Sequence, residues 1–78
     1  MAFTPDAFEL TADEKASIIQ QRLKSFNAEK FQHELNLSTA QAINSEEALM
    51  ASQKAIAELN TAITAHTDVL NTLFPGNE

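Results

Sequence analysis

The chain has 78 residues, with one glycine, two prolines and no cysteine, tryptophan or tyrosine, and eleven acids against five bases give it a net charge of −6. Without thiols it can build neither a disulfide framework nor a cysteine-ligated zinc or iron–sulfur site. The lone glycine, Gly76, sits at the tail, which excludes a Gly-rich phosphate cradle. The acidic balance argues against a nucleic-acid surface, because that needs clustered Lys and Arg.

Size is the next constraint. One small domain is the most this length allows, and such a chain buries only roughly 60 % of its unfolded surface as a monomer. Domains this small usually rely on staples, metals or partners. Self-association or docking on a larger protein is therefore expected. No run of 18 apolar residues exists to span a membrane. No basic segment followed by an apolar run marks a secretory signal, so the expected location is cytoplasmic. Asn36-Leu37-Ser38 fits the N-glycosylation pattern, which has no meaning without a secretory route.

Residues 1–10, MAFTPDAFEL, read as an N-terminal arm. Thr4 is placed to cap a short turn with Pro5 at its first position, where the missing N–H costs nothing. Phe3, Phe8 and Leu10 are three large apolar groups in this arm, which is expected to pack on the helices or on a neighbouring chain.

Thr11-Ala12-Asp13-Glu14 is a capping box, and two acids in the first turn suit the helix dipole. From Ala12 onward no glycine or proline occurs until Pro75, which predicts helix throughout. A break is placed at Asn44-Ser45-Glu46-Glu47, with Asn44 as N-cap, Glu47 at N3, and Ile43 and Ala48 forming a hydrophobic staple. The spacing thus predicts helices over 12–43 and 45–73 within a unit spanning 11–74, and a tail at 75–78. Phe74 precedes Pro75, which pushes it out of the helical region and ends the second helix.

The rival is one continuous helix, because Leu35, Ala42, Leu49, Ile56, Ile63 and Leu70 recur every seven residues. Its companion positions 38, 45 and 52 are all serine, a poor coiled-coil seam. Pairs of Ala or Val with a large residue at 48/49, 55/56, 62/63 and 69/70 keep a seven-residue step, whereas Ala42-Ile43 lies only six before the first. The slip falls at the proposed turn and favours an antiparallel two-helix hairpin. Pairing about residue 44 sets Phe26 near Ala62, Leu23 near Ala65, Ile19 near Val69 and Leu35 near Gln53.

The second helix presents a wide apolar arc of Ala48, Leu49, Ala55, Ile56, Leu59, Ala62, Ile63, Val69, Leu70 and Leu73. In the first, Ala12, Ala16, Ile19, Leu23 and Phe26 share a face, while Phe31, Leu35 and Ala42 lie about 120° around it. A kink near Ser25-Asn27 would realign them; a second contact surface would use them separately. Phe26 and Phe31 are assigned to the core. A lone hairpin leaves apolar surface uncovered, so completion into a helical bundle by oligomerisation is expected.

Chemistry is poorly represented. His33 and His66 fall far apart in the hairpin and cannot share a metal. His66 occupies a seam position, suited to fixing register or stacking on Phe. The pairs Asp13-Glu14 and Glu46-Glu47 are explained by capping. No nucleophile elbow, H-E-x-x-H or S-x-x-K pattern occurs. No enzyme, cofactor, metal or small-molecule substrate is expected.

Three segments carry a resemblance: Ile18-Ile19-Gln20-Gln21-Arg22-Leu23, Phe31-Gln32-His33-Glu34-Leu35-Asn36 and Asn44-Ser45-Glu46-Glu47-Ala48. Over residues 10–73 the chain resembles small helical proteins of unassigned function from tailed phages of marine cyanobacteria. The resemblance implies a small viral protein acting through contacts with virion or host components.

The expected function is a non-enzymatic protein–protein interaction module, a small structural or assembly component that binds itself or a larger protein. Its interface candidates are Phe3, Phe8, Leu49, Ile56, Leu59, Ile63, Leu70 and Leu73. The alternative is a small acidic regulator or inhibitor that binds one cellular protein through Glu46, Glu47, Glu58 and Asp68. Residues 45–78 hold five acids against Lys54 alone.

Overall fold

The computed structural model describes residues 4–74. Thr4 precedes a 3-10 turn over Pro5–Phe8, with proline at its start, but its hydroxyl makes no capping bond. Two long helices follow, α1 over Ala12–Ala42 and α2 over Glu46–Leu73, and they pack on each other as a hairpin. No strand occurs among the described residues. The chain is therefore all-α, with a short N-terminal arm.

The start of α1 follows its local chemistry. The Thr11 backbone N–H donates to Glu14 Oε1 at 2.9 Å, and the Glu14 N–H donates to Thr11 Oγ1 at 3.1 Å. Two donors that the first turn would leave orphaned are satisfied reciprocally. At the far end Phe74 leaves the helical region, with φ −131° and ψ 66°.

The turn differs from expectation by one residue. Asn44 does not cap α2; it closes α1 in the left-handed region at φ 56°. The Ser45 N–H donates back to the Ala40 carbonyl at 3.0 Å and the Asn44 N–H to that of Gln41 at 3.3 Å. This is the paired Schellman closure, with asparagine where glycine is usual. An N-cap residue must be extended, so that role passes to Ser45, whose Oγ accepts from the Ala48 N–H at 3.2 Å. Glu47 consequently stands at N2, and α2 begins at 46 rather than 45. The shift also moves Ile43 off the position a staple needs, and it stays 65 % exposed.

The packing seam is regular. On α1 the inward residues are Ala16, Ile19, Leu23, Phe26, Lys30, His33, Leu37 and Ala40, alternately three and four apart. That spacing keeps one face toward one partner helix. On α2 the matching set is Ala48, Ser52, Ala55, Leu59, Ala62, His66 and Leu73, flanked by a half-buried column of Leu49, Ile56, Ile63 and Leu70. Ala40, at 1 % exposed, is the most buried core residue, and it shares a groove with Ala48 and Ser52 beside the turn. Small side chains there let the helices converge before the loop.

Two expectations about α1 are overturned. α1 runs unbroken through Ser25-Asn27 and does not bring Phe31 and Leu35 round onto the seam. The seam instead continues straight through Lys30 and His33, residues able to lay a stem or ring in a seam while keeping a polar end in water. Phe31 is therefore not core: it is 58 % exposed, and Leu35 is 53 % exposed. Ala12 and Ala42 are likewise exposed. The serines at 45 and 52 also belong to the seam after all, with Ser52 buried.

The result is long rather than round. The radius of gyration is 18.3 Å, where a compact chain of this length has about 11–12 Å. No helix is long and apolar enough to cross a membrane among the described residues.

Candidate functional site

The hairpin offers surfaces rather than an enclosed pocket. On one side, near the open ends, Ile18, Ile19, Arg22, Ala65, His66 and Val69 line a shallow groove. This brings together Ile19 and Val69, as the pairing about residue 44 anticipates. The Phe26 and His66 rings meet edge to face with centroids 4.8 Å apart. The stacking expected of His66 is thus present, and Nδ1 of the same ring lies 2.8 Å from the Ala62 carbonyl.

His33 lines a different groove, beside the turn with Asn36, Ile43 and Ala51. Among the described residues, no group of three or more histidines or acids converges to hold a metal.

Of the interface candidates, Leu49, Ile56, Leu59, Ile63, Leu70 and Leu73 are half-buried within the hairpin. Much of their apolar surface is already used against α1. Phe8 is 69 % exposed on the arm and Leu10 is 45 % exposed, so neither is sunk into the helices, and Phe3 lies outside the described residues. Glu46, Glu47, Glu58 and Asp68 all face solvent.

The large apolar groups left open on the helices are other residues: Ile18, Phe31, Leu35, Met50 and Val69, besides Ile43 at the turn. Val69 belongs to the expected arc of α2 but is 52 % exposed. Phe31 and Leu35 lie one turn apart on the side of α1 turned away from α2. The sequence contains a signal for this: extending the spacing of Ala16, Ile19, Leu23 and Phe26 lands on Lys30, His33, Leu37 and Ala40, not on Phe31 and Leu35.

No protein-family model matches this chain, and no curated protein or solved structure is significantly similar to it.

Proposed function

We propose that this chain is a non-enzymatic interaction module whose hairpin self-associates as a small structural or assembly component. The observation that carries the reading is exposed surface. The chain exposes 6238 Å², whereas a compact monomer of its mass exposes about 4,700 Å². A two-helix layer has no second layer over its outer faces, and large apolar side chains remain open there. Association covers such surface without requiring new chemistry, in keeping with the absence of recognisable catalytic patterns in the sequence.

Sedimentation velocity and light scattering at micromolar concentration test this directly. A dimer or higher assembly is expected, with a melting temperature that rises with protein concentration. A stable monomer with a concentration-independent transition would overturn it.

A further inference from the structure

We propose that the outward stripe of α1, centred on Phe31 and Leu35, is a self-complementary interface that takes the same stripe of a second copy running antiparallel. The inference rests on the self-association reading and specifies its surface.

The stripe consists of Ala28, Phe31, Leu35 and Ser38, all exposed and spaced three, four and three. That is the spacing of a second coiled-coil seam, on the side of α1 roughly opposite the one facing α2. Its order, small–large–large–small, reads alike in both directions. Two antiparallel copies therefore set Phe31 against Leu35 twice and Ala28 against Ser38 twice, which is the requirement of a twofold isologous contact.

Charge selects the same occupant. The chain carries a net −6, so most of its faces repel a copy of themselves. The charges on and beside the stripe are Lys24, one turn before Ala28, and Glu34, which offset each other, and its neighbours are otherwise Ser25, Asn27, Gln32, Thr39 and Gln41. This face can meet itself with little repulsion. The dimer is a row of four helices, α2–α1–α1–α2, rather than a closed bundle.

The test uses the full chain and two kinds of variant. Phe31→Glu and Leu35→Glu alter exposed positions, so circular dichroism should retain the helical signal. Each should weaken association about tenfold or more, while Met50→Glu on the outer face of α2 leaves it unchanged. The native chain has no cysteine, so Ala28→Cys and Ser38→Cys report geometry cleanly. A mixture of the two should form a disulfide-linked heterodimer under mild oxidation, whereas each alone should not, since like positions lie about 15 Å apart along the axis. An oligomeric wild type that ignores both charge variants and yields no mixed crosslink overturns this interface and leaves self-association standing. A monomeric wild type overturns both.

Discussion

Phe26 and His66 meet edge to face across the hairpin, ring centroids 4.8 Å apart and planes at 76°. The imidazole Nδ1 lies 2.8 Å from the carbonyl oxygen of Ala62, one turn earlier on its own helix. In the tautomer protonated at Nδ1, that nitrogen donates to the carbonyl and holds the ring in place. A directional contact of this kind distinguishes the native register from a slip of one turn, which aliphatic contacts alone do poorly.

The pair should therefore be energetically coupled. Phe26→Ala is expected to cost about 2–3 kcal/mol, since the ring is half-buried rather than fully so. His66→Ala should cost about 1 kcal/mol, and His66→Phe less, because an aromatic partner is kept. Urea denaturation at fixed protein concentration measures each, and the double-variant cycle gives the coupling. Strict additivity would show that the two rings are merely adjacent.

Asn44 sits at φ 56° with no glycine to relieve it. Asn44→Gly should be neutral or stabilising by a few tenths of a kcal/mol, because glycine enters the left-handed region freely. Asn44→Val should cost about 1–2 kcal/mol, since a β-branched residue is disfavoured there. Thermal melts of the two variants, moving in opposite directions or at least well apart, check the Schellman turn. Equal effects would argue for another loop conformation.

Ala40 lies against the start of α2, in the groove shared with Ala48 and Ser52. Ala40→Leu should overpack this end and destabilise by about 1–3 kcal/mol. Ala42→Leu, two residues on but exposed, should change stability by less than about 0.5 kcal/mol. Denaturation midpoints that fail to separate these two alanines would contradict the seam assignment.

The capping box at Thr11 and Glu14 is exposed and local. Thr11→Ala should cost about 1 kcal/mol and release the first turn of α1. Hydrogen exchange should quicken for amides of residues 12–15 and leave those around Phe26 nearly unchanged. A uniform increase along the helix would mean that the cap controls global rather than local opening.

Much of this molecule was legible before folding. The freedom from glycine and proline between Pro5 and Pro75 favours long helices, because neither strong breaker interrupts them. Thr11 and Glu14 mark where the first helix starts, and Phe74 before Pro75 marks where the second stops, because caps and pre-proline sterics are local effects. The arc of α2 was readable too, since its large residues and alanines share one face. Tertiary packing decided the rest. Whether Asn44 or Ser45 caps α2 depends on which backbone closes α1, because both side chains are good N-caps. Along α1, residue polarity pointed to Phe31 and Leu35, yet the partner helix selects by position. A straight helix packed on one neighbour must bury every third and fourth residue in turn, so Lys30 and His33 go inward and Phe31 and Leu35 are left facing out.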